Sequence, residues 1–509
     1  YVKYFGEHLM KDSIRKKIWI PGLLLLTLFV AFYSPLNPVT EKALTTDQAV
    51  FFTIAQGILN GDLAYVDFFD HKGPLLYLIL AAGLLLGKSL IGNFLLEFLI
   101  IFISALFMFK IARMFAGKWI SFLTVAVIFL SDITLFTTSN SEEYLYPLLV
   151  ISVYLFLFQL RRGIKYLWTA GIGFCGMLVF FIKYNYCLIW AALGILMFLI
   201  MLGRRESWKK VLGMCFSFAG GMAVAAVLMG MYLLATGSFS AFMETYVLYS
   251  LHYAEATGIP ERIQCLKYLL ATPLFGLLAI SSLALVILSI LSLVRRKEKI
   301  AGFTGEMLGE IWIFYLLAAA ILITTASPGQ SWYYYKQATM VIYTVPLAFL
   351  GQAFMEICKK WQEKAGKILG VVATAAISLG VLVSQVDPQA FLIQRDERFQ
   401  GAMNLCAVIQ ETCGPKDTMI SFSNDCTMYF YSECPPASRI FFPSATIVDD
   451  ALIDELMGDL REKRPRIVTF QSDWKAGLSQ RMIDEAEDFI KNDYEIIYED
   501  VYRTAYIRK

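Results

Sequence analysis

Charge is in short supply along this chain. Asp, Glu, Lys and Arg make up 17% of its 509 residues, where a soluble domain carries about 25%. Hydrophobic residues make up 58% and fall in blocks near the length that crosses a bilayer core, roughly 18–25 residues. An ordinary soluble protein is excluded. Long basic tracts are missing too, because Lys and Arg occur in short clusters between apolar runs, which speaks against nucleic-acid binding. No Walker-type Gly-rich loop, Gly-x-Ser-x-Gly or His-Glu-x-x-His occurs, which disfavours an ATP-driven transporter or a soluble-type hydrolase. Internal repeats and low-complexity stretches are also lacking.

What is present is an alternation of apolar runs and small basic clusters. Basic clusters mark the cytoplasmic side of a membrane protein. Here they fall at Arg15–Lys17, Lys110/Arg113/Lys118, Arg161/Arg162/Lys165, Arg204/Arg205/Lys209/Lys210, Arg295–Lys299 and Lys359–Lys367. Between them lie apolar segments near 18–34, 90–112, 119–137, 145–160, 166–182, 186–203, 211–235, 269–294, 311–326, 338–356 and 368–386, about 11 expected spans. The first run ends in Ser34-Pro35-Leu36-Asn37-Pro38 with no small-x-small cleavage site, so it reads as an uncleaved helix rather than a signal peptide. An odd count places the N-terminus in the cytoplasm and the C-terminal residues outside. The apolar run at 74–87 is too short to span, and counting it would put Arg161 and Arg162 outside, so it reads as a helix lying on the outer surface.

The outer loops then run over about 35–90, Thr138–Tyr144, about 236–268 and Ser327–Lys336. The first is far too long for a connector. The tail from 387 to 509 is richer in acids than bases and reads as a small extracytoplasmic α/β domain. Its β-rich runs are Asp417–Ser423, Arg466–Gln471 and Tyr494–Tyr498, with helical spacing over Arg395–Gln410, Asp449–Arg461 and Ser479–Lys491. The expected domains are therefore a membrane part, 1–386, and this tail. Five cysteines scattered through the membrane part read as packing residues. Cys406, Cys413, Cys426 and Cys434 lie in the tail, where oxidation is open to them. Four cysteines allow three pairings and the sequence does not choose; no Cys-x-x-Cys among them suggests zinc.

Chemistry-bearing residues gather in the outer loops. Thr45-Thr46-Asp47-Gln48 opens a run of helical spacing that stops at Asn60-Gly61, so Asp47 reads either as a helix N-cap or as a carboxylate aimed at a site. Tyr65-Val66-Asp67-Phe68-Phe69-Asp70-His71-Lys72-Gly73-Pro74 packs acids, a His and a Lys among aromatics that an interfacial belt would also explain. Together these stretches resemble the first outer loop of the C-type glycosyltransferases, nearest the protein O-mannosyltransferase and aminoarabinose transferase group (glycosyltransferase family 39-like). One proline of that group's usual Lys-Pro-Pro is replaced here by Gly73. The resemblance is strongest over about 40–200 and does not reach the tail.

That resemblance implies a GT-C-like fold and transfer of a sugar from a polyprenyl-phosphate donor on the outer face, with inversion at the anomeric carbon. Asp47 matches the acid that serves as general base. Asn140-Ser141-Glu142-Glu143-Tyr144 resembles the second acidic motif, with Glu142 the better match and Glu143 the other candidate. These two, with Asp70 and His71, are candidates for holding the acceptor or a metal. Asp47 and Glu142 could share a divalent cation, Mg2+ or Mn2+, although carboxylates at a helix start also simply suit its dipole. Lys72, Lys183 and Lys336 are the candidates for donor phosphate; snorkelling is the plain alternative for Lys183. The run Trp332-Tyr333-Tyr334-Tyr335 resembles a family aromatic stretch that lacks its usual His here. The acceptor, whether glycan, lipid or protein, is not readable. The rivals are whole-oligosaccharide transfer on the same scaffold, a glycan-binding protein with a degenerate site, and a secondary transporter or lipid flippase. Transporters place charge at broken helices and often repeat their halves, whereas here charge sits in the outer loops.

Overall fold

A computed structural model describes residues 19–40, 42–87, 90–254, 258–295, 299–361, 397–423, 425–443, 450–476 and 478–509. The expected span at 368–386, the cluster Arg15–Lys17 and most of Lys359–Lys367 lie outside the described residues.

Seven helices among the described residues are long and apolar enough to cross a membrane: Ile91–Phe115, Ser141–Arg162, Tyr184–Gly203, Trp208–Ala235, Phe275–Arg295, Gly305–Ala326 and Tyr335–Cys358. Each coincides with an expected span. Three other expected spans form shorter apolar helices, Trp19–Ala31, Lys118–Ser131 and Tyr166–Phe180. Trp19–Ala31 begins at the first described residue, while the other two, at 14 and 15 residues and about 1.5 Å per residue, fall short of a ~30 Å core. The run expected on the surface forms a helix over Pro74–Leu85. Many apolar side chains point outward, Leu167, Leu293 and Val294 among them, as a chain solvated by lipid requires. The protein is a polytopic α-helical membrane protein carrying a small α/β piece at its C-terminal end.

The chain divides into two compact units. One comprises Tyr1–Ser34, Leu95–Leu228 and Ala256–Pro388. Its helices approach closely where side chains vanish. A Cβ on Gly221 would lie 1.9 Å from the Ala170 carbonyl oxygen, and one on Gly173 would lie 2.0 Å from that of Phe218. Small residues permit such backbone contact between membrane helices. The expected inside residue Arg161 is fixed by Glu310, 2.6 Å away, and by the Met114 carbonyl.

The other unit comprises Pro35–Phe94, Met229–Glu255 and Gln389–Lys509, so the first loop is built together with the tail. The tail holds a four-stranded sheet of β1 (Met419–Ser421), β2 (Ile467–Gln471), β3 (Tyr494–Glu499) and β4 (Arg503–Arg508), in the order β1-β2-β4-β3. β1 and β2 run parallel, and β4 is antiparallel to both its neighbours. The three expected tail helices appear as Glu397–Thr412, Asp450–Lys463 and Gln480–Ile490. Strand β4 and the short helix Thr427–Ser432 were not among the expected elements.

Phe69 of the first loop belongs to the same buried cluster as Ile420, Phe422, Leu456, Val468 and Phe470 of the tail. Its amide donates to the Arg439 carbonyl at 2.7 Å, and Phe68 meets Phe441 edge-on at 5.6 Å. Both phenylalanines are buried. The aromatics of this loop are thus core residues, not an interfacial belt, because the tail supplies apolar partners that no local pattern reveals.

Candidate active site

The first-loop helix Thr46–Asn60 is capped by Thr45 and Gln48. Thr45 Oγ1 accepts from the Gln48 amide at 3.3 Å, and the Thr45 amide donates to Gln48 Oε1 at 2.8 Å. This reciprocal capping box satisfies the orphan amides of the first turn. Asp47 is therefore not the N-cap; it lies half-buried in the first turn. The helix ends at Gly61, whose φ of 103° is a conformation glycine adopts without penalty.

Beyond it the backbone turns sharply at Tyr65, which has φ 71°, a region that costs a non-glycine residue energy and often marks functional sites. Packing holds it there. The Tyr65 ring is buried against Tyr77, Phe242 and Tyr246, and its hydroxyl donates to the Lys72 carbonyl at 2.7 Å. Tyr77, from the helix Pro74–Leu85, donates to Asp70 Oδ2 at 2.6 Å, while Asp70 Oδ1 accepts from the His71 amide at 2.8 Å. Asp70 is almost wholly buried.

The next links run along side chains. Asp70 Oδ1 lies 3.5 Å from His71 Nδ1, and His71 Nε2 lies 2.9 Å from Lys72 Nζ. An ammonium can only donate, so Nε2 accepts and the ring proton sits on Nδ1, facing Asp70. Lys72 Nζ also lies 6.0 Å from the centre of the Phe51 ring. Phe51 is one helical turn beyond Asp47, and residues four apart share a helix face. The lysine therefore stands on the side of the helix that carries Asp47. Both Asp47 and Asp70 also act electrostatically on the buried Cys426 of the tail. Gly73 has φ −74° and ψ 150°, angles open to proline.

The second acidic motif lies in the other unit. Glu142, in the first turn of Ser141–Arg162, is fully buried. Its Oε1 accepts from Lys183 Nζ at 2.6 Å and Tyr186 Oη at 3.0 Å, and its Oε2 accepts from Ser141 Oγ at 2.8 Å. Lys183 lies 4.4 Å from the Tyr335 ring and 5.3 Å from that of Tyr334, an aromatic cage for its charge. Glu143 faces elsewhere. Its Oε2 accepts from the Ser139 amide at 2.7 Å, and Glu97 Oε1 accepts from Ser139 Oγ at 3.0 Å. Two buried carboxylates thus hold Ser139 at φ 47°. Lys336 is separate from this cage; its Nζ donates to the Ala271 carbonyl at 3.1 Å and lies 4.2 Å from the Tyr268 ring.

Of the residues singled out from sequence, the structure joins Asp70, His71 and Lys72 in one chain and Glu142 and Lys183 in an ion pair. No three His, Cys, Asp or Glu side chains gather as a cation would need among the described residues. Glu142 Oε1 already has two donors and Oε2 one. Sequence reasoning passed over Tyr77, Tyr186, Glu97 and the Asp132–Tyr333 hydrogen bond. Glu97 had a signal: it is a lone acid inside an apolar helix, where ionisable residues are expensive. The tyrosines gave none, because nothing local says where a phenol points.

No protein-family model matches the chain, and no curated protein matches it in sequence. Solved structures do. ArnT from Cupriavidus metallidurans bound to undecaprenyl phosphate superposes with a TM-score of 0.62 at 12% identity, covering 96% of this chain and 98% of that one. Its apo form gives the same score and identity over 97% of its chain. The fold is that of the C-type membrane glycosyltransferases. An Archaeoglobus fulgidus oligosaccharyltransferase in complex with Zn and sulfate extends this, with a TM-score of 0.51 at 12% identity over 96% of this chain and 73% of that one. The GT-C fold expected from the first-loop motifs is thereby shown over nearly the whole length, tail included.

Proposed function

We propose that this protein is a membrane glycosyltransferase. It takes a sugar from a polyprenyl-phosphate-linked donor and passes it to an acceptor hydroxyl on the extracytoplasmic face, with inversion at the anomeric carbon. The observation that carries this reading is the shared side of the first-loop helix: a carboxylate, Asp47, and an ammonium, Lys72, whose position is fixed by His71 and Asp70. Sharing a fold with an ArnT that binds undecaprenyl phosphate supports a lipid-phosphate donor.

Asp47 takes the proton of the acceptor hydroxyl as its oxygen bonds to the anomeric carbon. A positioned base near that proton is the geometric need of such a step. The bond from carbon to phosphate oxygen breaks, and the polyprenyl phosphate leaves with the electron pair. Lys72 stabilises the charge growing on that phosphate, as a pre-placed cation does. Lys183 is already neutralised by Glu142, which makes it a weaker phosphate partner than Lys72. In the cell membrane the N-terminus faces the cytoplasm, residues 1–386 form the membrane part and 387–509 the outer domain.

The test is transfer of labelled sugar from a panel of polyprenyl-phosphate sugars by purified wild type and Asp47→Asn. The substitution keeps size and removes the base. Transfer or donor hydrolysis by wild type, lost in the variant, supports both the reaction and the role of Asp47. Equal rates in the two reject Asp47 as base. Movement of intact lipid across vesicles without turnover would favour a flippase instead.

A further inference from the structure

Four cysteines in the tail allow three pairings, and the structure brings one pair together. Cys434 Sγ lies 3.6 Å from Cys413 Sγ, the two residues being 21 positions apart. A disulfide needs about 2.05 Å between sulfurs, so a small side-chain rotation closes the gap. Cys413 follows directly on the helix Glu397–Thr412, with its amide donating to the Ile409 carbonyl at 2.8 Å. Cys434 is buried, and its amide donates to Ser432 Oγ at 3.2 Å. The neighbouring backbone is tied to β1: the Met419 amide donates to the Pro435 carbonyl at 3.0 Å and the Ala437 amide to that of Met419 at 2.8 Å. Both sulfurs thus hang from anchored backbone.

We propose that Cys413 and Cys434 close to a disulfide in the mature protein. The loop so closed contains β1, Cys426 and the helix Thr427–Ser432. That helix packs on the first-loop helix, Phe430 meeting Phe52 at 5.4 Å. The bond therefore staples the bed on which the Asp47 helix rests.

The chemistry is ordinary thiol–disulfide exchange. Cys434 donates its S–H toward Cys413, and this hydrogen bond, more than the nearby Arg466, holds the Cys413 thiol below its usual value. The Cys413 thiolate attacks a sulfur of a protein or small-molecule disulfide and expels one thiolate. Cys434 then gives up its proton, attacks the Cys413 sulfur and expels the second. Two thiols are oxidised and one external disulfide is reduced to two thiols. Cys406 and Cys426 take no part. Cys406 Sγ faces the Met428 carbonyl at 4.0 Å rather than another sulfur.

The pairing is independent of the transfer reaction, although an oxidising surrounding rests on the outer placement proposed above. The experiment separates the two. Purified full-length protein is equilibrated with reduced and oxidised glutathione, alkylated, digested without reduction and mapped by mass spectrometry. The expected result is a Cys413–Cys434 cross-linked peptide pair, with Cys406 and Cys426 alkylated only after unfolding. The unfolding midpoint should fall on reduction in wild type and stay unmoved in Cys434→Ser. Free Cys413 and Cys434, a link to Cys406 or Cys426, or a midpoint indifferent to reduction in wild type would overturn the proposal. Activity plays no part in the readout, so an error in the glycosyltransferase reading leaves the result intact.

Discussion

Lys72 owes its position to residues on both sides of it. Its carbonyl is held by Tyr65 and its ammonium by His71, which in turn meets Asp70. Replacing Lys72 with Met keeps the apolar stem and removes the charge. Donor affinity should then fall by more than tenfold in a lipid-phosphate binding assay, with folding retained, since a phosphate loses its cation. The pair Glu142–Lys183 behaves differently because both charges are buried. Removing one partner strands the other, at a cost of about 3–5 kcal/mol. Glu142→Gln and Lys183→Met should each lower the unfolding midpoint in detergent, and the double variant should recover much of the loss. Additive losses in that cycle would show that the two do not act as a pair.

At the scale of elements, the first loop packs against the tail and against the segment carrying Phe242 and Tyr246. Gly57 sits where the first-loop helix meets Phe68; a Cβ there would lie 2.3 Å from the ring. Gly57→Ala should therefore destabilise by about 1–3 kcal/mol, the usual cost of overpacking. Adding Phe68→Ala should not make matters worse by the full cost of a lost phenyl ring, because the smaller side chain relieves the clash. Phe69→Ala empties part of the tail core, for which about 3–5 kcal/mol is typical. Thermal unfolding of the full chain measures both. The motif Phe68-Phe69-Asp70-His71-Lys72 thus has two jobs: its aromatic half anchors, and its polar half presents.

For the molecule as a whole, alternating apolar runs and basic clusters made the membrane architecture readable. The helices fell where those runs lie because lipid leaves the backbone no option but internal hydrogen bonding. The proposed orientation has its own check: alkaline phosphatase fused after Lys509 should be active, while the same enzyme fused within 204–210 should not. The opposite pattern would reverse the topology. Of the candidate site, Asp47, Asp70, His71, Lys72, Glu142 and Lys183 could be singled out because their types and spacing are local. Their partners were not: Glu142 meets Lys183 across 41 positions and Tyr186 across 44. β4 was missed because it completes its sheet only through pairing with β2 and β3.

By itself, then, the sequence determined the membrane class, the helical runs and the chemical types gathered in the outer loops, all properties set by local composition and period. Tertiary structure decided that Phe68 and Phe69 are core, that Lys183 is neutralised by Glu142, and which two cysteines meet. Each of these depends on groups distant in the chain that become neighbours only when apolar surfaces are buried together. The physical reason is that burial forces every charge and every hydrogen-bonding group to find a partner, and which partner is within reach is fixed by packing.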